Sequence, residues 1–381
     1  MMTTNKALGL YLHIPFCVQK CKYCDFLSYP GMDHEKQVSY ANDLINEIEY
    51  YGELYHNKYY VDTIFIGGGT PSLMEEALTD KIISAVRANF LVEEEAEVTI
   101  ESNPKTLTRD KLAAYLEAGI NRLSIGAQSL DDRLLKFMGR IHKAGDVIDT
   151  YRLARECGFQ NINLDLMFAI PGQTMELWQS SLEQVIELGP EHVSFYSLQL
   201  EEGTPFFQMF KEGIFTEISD ELDRQMYHWA LKKLGNRGYT HYEISNAARE
   251  GFACRHNLKY WSMDDYLGLG LGAHSFIDGC RFSNETDINA YIGADPNRIA
   301  VWSHHNTEKD NISEYIFTGM RKMQGISLCD FQNRFGKELQ EIYPEETQRF
   351  LKESLIKIEE GHLRFTLKGI DLSNHVLSDF V

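Results

Sequence analysis

Three thiols crowd into Cys17-Val18-Gln19-Lys20-Cys21-Lys22-Tyr23-Cys24, directly after an apolar run that ends at Ile14. The chain has seven cysteines, an odd number, and Met1 to Gly9 show no charged segment leading into a long apolar core. That usage favours metal binding over disulfides. Three thiolates on one loop can hold three irons of a [4Fe–4S] cluster and leave the fourth iron open to a small ligand. The competing reading is zinc, which needs a fourth protein ligand, and neither His13 nor His34 stands at a habitual finger spacing. Cys157, Cys254, Cys280 and Cys329 are scattered and are expected to be small buried hydrophobes.

A second set of chemical groups stands where other apolar runs end. Gly67-Gly68-Gly69-Thr70-Pro71 follows one of them; glycines let a ligand approach the backbone closely, and they also make plain turns. Glu101 precedes Ser102-Asn103-Pro104, Gln128 closes Ser124-Ile125-Gly126-Ala127-Gln128, and Asp165 lies within Asn163-Leu164-Asp165-Leu166. One such group alone could be structural, but several at one mouth favour a ligand. Arg140 could reach a carboxylate, or stand as a solvated charge at a helix end. His256-Asn257-Leu258-Lys259-Tyr260-Trp261 offers an imidazole beside two flat rings, chemically suited to haem; the plainer reading is a hydrogen-bonded core histidine. His274 and the pair His304-His305 are secondary candidates, expected to be structural or exposed.

The elements that must position these groups alternate in type. Apolar, β-branched runs at 8–14, 61–66, 97–101, 122–126, 162–168 and 192–198 read as strands. Between them 33–55, 73–88, 108–117, 145–157 and 175–188 have helical periodicity, with Asp33 and Thr108 as N-caps and Gly119 and Gly158 as stops. Six βα units predict an α/β fold, a partial (β/α)6 barrel whose strand ends carry the site. Beyond Pro205 the sequence predicts a helix at 219–234, a short strand at 239–244 and an irregular glycine- and aromatic-rich stretch at 252–276. Helices are expected at 313–323, 328–335 and 344–360, then a strand pair near 363–365 and 370–372. The expected domains are a core barrel over 1–235, a barrel extension carrying the HNxxYW motif over 236–305, and a small helical, winged-helix-like domain over 306–381.

Composition narrows the function classes. The 381 residues carry 37 Lys plus Arg against 56 Asp plus Glu, a formal charge of −19, which opposes broad attraction to nucleic acid or anionic lipid. The C-terminal segment Asp330, Arg334, Lys337, Glu338, Glu341 has mixed charge, which favours packing or a lid over DNA recognition. No apolar run approaches the ~18 residues of a membrane span, and a cytoplasmic location is expected.

The cysteine run, with Tyr23 before its last member, resembles the signature of the radical S-adenosylmethionine (SAM) superfamily. There the open iron is chelated by the amino and carboxylate groups of SAM, and the reduced cluster cleaves SAM to a 5′-deoxyadenosyl radical. Tyr11-Leu12-His13-Ile14-Pro15-Phe16-Cys17, the Gly67–Pro71 loop, Glu101–Pro104, Ile170-Pro171-Gly172-Gln173-Thr174 and Gly203-Thr204-Pro205 narrow this to the oxygen-independent coproporphyrinogen III oxidase-like family. The resemblance spans essentially the whole chain. It makes Cys17, Cys21 and Cys24 cluster ligands, and places SAM against Tyr11, Tyr23, Asp25, Gly68, Gly69, Thr70, Glu101, Gln128, Arg140 and Asp165. The oxidase branch resembles C-x3-C-x2-C-x-C, whereas Phe26 stands two residues after Cys24, and the oxidase's long extension before the barrel has no counterpart. The HNxxYW motif is instead similar to the haem-chaperone branch, which implies haem as cargo, with His256 as its ligand, and acceptor haem proteins as partners. A peripheral membrane-associated acceptor and a homodimer stay open. The alternatives are the radical SAM oxidative decarboxylation of coproporphyrinogen III and, on fold grounds, a methyl transfer to a heterocycle.

Overall fold

A computed structural model describes residues 5–380. Its strands, in chain order, are β1 (Lys6–Ile14), the two-residue β2 (Phe16–Cys17) and β3 (Tyr29–Pro30), β4 (Tyr59–Gly68), β5 (Val92–Ser102), β6 (Arg122–Gln128), β7 (Ile162–Phe168) and β8 (His192–Ser197). They continue with β9 (Thr240–Glu243), β10 (Asn246–Ala248), β11 (Tyr266–Leu269), β12 (His274–Ile277), β13 (Cys280–Asn284) and β14 (Ala300–His305). All but β2 and β3 join one twelve-stranded sheet of order β14-β13-β12-β11-β1-β4-β5-β6-β7-β8-β10-β9. The run from β11 through β1 to β8 is parallel. The ends stay unpaired with each other, so the barrel is partial, as the βα alternation predicts.

The side-chain period of two divides each parallel strand. Leu10, Leu12, Ile64, Ile66, Ile100, Leu123, Leu164 and Val193 are fully buried on the outer side, where the helices pack. The inner series carries Tyr11, Phe65, Ser124, Asn163, Asp165 and Tyr196 and faces a cavity. Parallel strands covered on both faces are usually apolar throughout, so a polar inner series marks a lumen built for chemistry. Asp33 and Thr108 cap their helices through side-chain oxygens, as expected. Gly158 ends its helix at φ +112°.

The structure corrects four expectations. The stretch 252–276 is not irregular: it holds the helix Arg255–Ser262, β11 and most of β12, and β11 is a seventh parallel strand. The helix expected over 73–88 is a 3-10 turn at Pro71–Leu73 followed by a helix at Glu76–Asn89. The helix expected over 344–360 stops at Lys352; Ser354 turns left-handed at φ +56°, and β16 (Ile356–Glu359) follows. The strand expected at 370–372 is instead part of a helix, Leu367–Asp371, capped by Thr366. In the same region β15 is Ile326–Ser327 and β17 is His362–Phe365. Glu360 and Gly361, both at positive φ, make the tight turn that pairs β16 with β17. With four helices before the hairpin (Glu308–Gly319, Leu328–Phe335, Leu339–Ile342 and Pro344–Lys352) and sheet order β15-β17-β16, this is the expected winged-helix arrangement. No helix among the described residues is long and apolar enough to cross a membrane.

Candidate functional site

The cysteine loop is pinned from two sides and closed by a turn of its own. Lys22 N donates to Met138 O at 3.0 Å, Phe206 N donates to Lys22 O at 2.9 Å, and Cys24 N donates to Cys21 O at 3.2 Å. Phe206 belongs to the helix Pro205–Lys211, capped by Thr204, so Gly203-Thr204-Pro205 serves to hold the loop. Tyr23 packs at 6.4 Å from the Phe206 ring. All three thiols are half-buried and line one cavity of about 440 Å³ at the C-terminal ends of the parallel strands. Asp25, Gly68, Gly69, Thr70, Glu101, Gln128, Arg140 and Asp165 line the same cavity. Eleven separate sequence positions are thereby brought to one mouth. Tyr11 is not among them; it borders a second, deeper cavity, with its hydroxyl 3.0 Å from His13 Nδ1.

The local geometry explains the glycines. A Cβ on Gly69 would stand 2.7 Å from Phe16 O and 3.1 Å from Cys17 Sγ; Gly68 has φ +117°, and a Cβ there would meet the His13 ring at 2.6 Å. The loop therefore runs against the cysteine segment more closely than a side chain permits. Gly68 N donates to Glu101 Oε2 at 3.1 Å, and Thr70 Oγ1 lies 3.7 Å from Cys17 Sγ. Arg140 ties the cluster loop to the strand ends: it reaches Cys21 Sγ at 3.6 Å, Gly126 O at 2.7 Å and Asn103 Oδ1. Gln128 turns out of β6 in the left-handed region at φ +63°, a strained state for a non-glycine that recurs at functional sites.

The electrostatics call for a cation. Burial pushes the Cys24 thiol up to about 11, and that of Cys17 upward as well. Burial, then the neighbouring Asp165 charge, raises Glu101 to about 7. Asp165 accepts from Tyr196 Oη and Asn163 Nδ2, each at 2.7 Å. Among the described residues no three His, Cys, Asp or Glu side chains converge on one ion, the arrangement a single zinc requires. A four-iron cluster takes one thiolate per iron and accommodates thiols spread along a loop. The donor set thus fits a cluster, and the Gly68–Glu101–Asp165 wall fits a cationic ligand beside it.

His256, read from the sequence as a haem ligand, lies in the buried interior of the lumen. Its ring is 1% exposed; Nδ1 lies 2.9 Å from Thr63 Oγ1 and Nε2 lies 2.8 Å from Tyr260 Oη. It stacks on Phe65 at 5.3 Å. The helix Arg255–Ser262 fills the opposite end of the lumen as a floor, with Glu97 accepting from Arg255 N and His256 N at 3.2 Å each and from Cys254 Sγ at 3.6 Å. A carboxylate at a helix N-terminus satisfies amides that would otherwise be orphaned. Lys259 Nζ meets Asp62 at 2.8 Å, and the Arg321 guanidinium covers the Trp261 ring at 4.4 Å. His274 and His305 are exposed, and His304 pairs with Asp310 at 3.1 Å. Of the scattered cysteines Cys254 alone is buried; Cys157 and Cys280 are half-buried and Cys329 is exposed, against expectation.

Sequence reasoning missed Asn103, Arg122, Tyr196 and Glu97. Asn103 stood in the quoted Ser-Asn-Pro turn. The others repeat the polar alternation of Asn163 and Asp165 on neighbouring strands, a period-two signal that singles them out as lumen residues.

Comparison with known proteins adds independent findings. Residues 11–185 match the model of the radical SAM superfamily, and 306–372 match the HemN C-terminal domain. The chain is 33% identical over 377 residues to the Heme chaperone HemW of Lactococcus lactis, covering 99% of this chain and 98% of the relative. It is 36% identical over 378 residues to the Heme chaperone HemW of Bacillus subtilis, covering 97% and 98%. Among solved structures, coproporphyrinogen III oxidase (HemN) from Escherichia coli, a radical SAM enzyme, superposes with a TM-score of 0.85 at 22% identity, covering 99% and 90%. That likeness speaks to the fold.

Proposed function

The chain belongs to the HemW branch of the HemN-like radical SAM family, and from that membership we propose that it binds haem and delivers it to acceptor haem proteins, with a SAM-ligated [4Fe–4S] cluster at the barrel mouth. The observation that carries the reading is identity of 33% and 36% to HemW relatives over nearly the entire chain. Phe26 supports it: an apolar ring, 70% exposed, borders the mouth at the position where the oxidase branch resembles a fourth cysteine. An exposed aromatic beside a cavity suits a flat macrocycle better than solvent.

Cys17, Cys21 and Cys24 would hold the cluster, and Arg140 fixes the loop through Cys21. A cluster held by these three cysteines would supply the reducing electron for SAM chemistry. Glu101, Asp165, the Gly68–Gly69 backbone, Gln128 and Thr70, which line the same cavity, would hold and orient the SAM. The buried network of Asp165, Asn163 and Tyr196 keeps the carboxylate in place, so binding needs little rearrangement. His256, with Thr63 and Tyr260 on its two ring nitrogens, serves the floor.

Anaerobic titration of cluster-loaded protein with haem, followed at the Soret band, tests this reading. Saturable one-to-one binding, kept in His256→Gln, is the expected result. No saturable binding by the unmodified chain overturns the chaperone reading. Turnover of coproporphyrinogen III with SAM and reductant would then establish the decarboxylase alternative.

A further inference from the structure

Below the mouth the lumen holds a second cavity of about 240 Å³, bordered by Tyr11, Phe65, Arg122, Ser194, Asn246 and Asn257. Arg122 is in register with Thr99, two residues before Glu101, which sets it one layer, about 6.6 Å along the strands, beneath the mouth. Phe26, Gly68, Glu101, Asp165 and Tyr196 border both cavities, so the two communicate.

Arg122 is 2% exposed. Its one side-chain hydrogen bond among the described residues goes to Thr99 Oγ1 at 3.5 Å, and its Nε has no partner. A guanidinium carries five N–H donors and does not deprotonate in proteins, and a buried charge without a partner is costly. The neighbouring carboxylates are engaged elsewhere: Glu97 caps the floor helix, and Asp165 accepts from Tyr196 and Asn163. A planar fork of donors left over on the wall of this chamber matches the two oxygens of a carboxylate.

We propose that this lower chamber is a carboxylate-binding subsite anchored by Arg122. Its volume lies below the ~300 Å³ where pockets for drug-sized ligands begin, so it accepts one carboxylate arm or a small free acid, and a macrocycle stays outside. Glu97 and Asp165 oppose an incoming anion at longer range. Direct contact with the fork offsets them, because attraction grows as separation falls. As a haem-binding element the subsite rests on the chaperone reading, with a haem propionate as the arm. The free acid is the other source.

The test uses the full-length, cluster-loaded protein and two probes. Carbon-13 propionate, followed by NMR line broadening, reports the subsite without haem. Haem and haem dimethyl ester, compared at the Soret band, report the source. Saturable propionate binding, weakened about tenfold or more by Arg122→Gln and less by Arg122→Lys, is expected; a haem preference over the ester that Arg122→Gln abolishes assigns the arm to haem. Arg122→Lys retains the buried charge and guards against a variant that simply fails to fold. Propionate binding with no haem binding sustains the subsite for a free acid while the chaperone reading fails. Haem binding with no saturable propionate signal and no preference over the ester overturns the subsite and leaves the chaperone reading standing.

Discussion

Glu101 should make SAM binding depend on pH, and Glu101→Gln should remove that dependence. In the free protein burial and Asp165 raise this carboxyl to about 7, so at pH 6 it is largely protonated. A ligand ammonium beside it favours the ionised form and returns the carboxyl towards its ordinary value of 4.5. Binding therefore expels a proton below pH 7. The apparent affinity is divided by one plus ten raised to the difference between 7 and the pH, roughly 11-fold at pH 6 and 1.1-fold at pH 8. Affinity should rise about tenfold over that interval, or about 1.4 kcal/mol. Isothermal titration of cluster-loaded protein with SAM at several pH values, in buffers of different ionisation enthalpy, reads both the affinity and the proton released. The Glu101→Gln profile carries the ligand's own titration and serves as the baseline. A flat profile in the unmodified protein, or an equal slope in the variant, would refute the assignment of Glu101 to the cation.

Three further outcomes follow from the same structure. Cys21→Ala leaves two loop thiols and should lose the four-iron absorption after anaerobic reconstitution, because one iron has no ligand; a retained spectrum sinks the assignment. Gly69→Ala drives a Cβ against Phe16 O at 2.7 Å and should cut iron incorporation several-fold, measured as iron per chain, while far-UV circular dichroism stays unchanged. Glu47 is fully buried, accepts from Gly270 N, Tyr291 Oη and Asn284 Nδ2, and is raised by burial to about 7 from 4.5. A raised carboxyl favours the folded state when protonated, so its contribution is full below pH 4.5 and is lost as pH climbs through 7, by up to about 3 kcal/mol. Urea unfolding at pH 5 and pH 8 should show that loss, and Glu47→Gln should shrink it; identical pH dependence in the two proteins would count against it.

The barrel was legible because βα alternation is a repeated, long signal: the strand expected at 162–168 is β7 to the residue. The mouth residues were legible as polar groups at strand ends, and the loop cysteines through their spacing. What escaped is short or non-local. The floor helix has eight residues and β11 only four, below the length at which periodicity declares itself. β11 owes its existence to pairing with β1, far away in sequence. His256 shows the limit most clearly. Its chemistry is right for a haem ligand, yet Thr63 and Tyr260 already occupy both nitrogens, and only the packing of a helix against two distant strands reveals that. The end of the helix at Lys352 turned on a left-handed serine, a conformation the residue type does not advertise.

The sheet order carries a consequence for how the molecule is made. One side of β1 pairs with β4, and the other pairs with β11, which spans Tyr266–Leu269. At roughly 5–20 residues per second of synthesis, the first strand emerges and then waits on the order of 13–50 seconds before its second neighbour exists. Late in that interval, once β8 has emerged at Ser197, an incomplete barrel exposes the unpaired edge of β1 and lacks its floor. The segment that supplies β11 also supplies the helix Arg255–Ser262. Edge protection and lumen closure are therefore a single late event in the life of the nascent chain. A ribosome stalled shortly before residue 255 would present an open, floorless trough able to pair edge to edge with its neighbours on the same messenger.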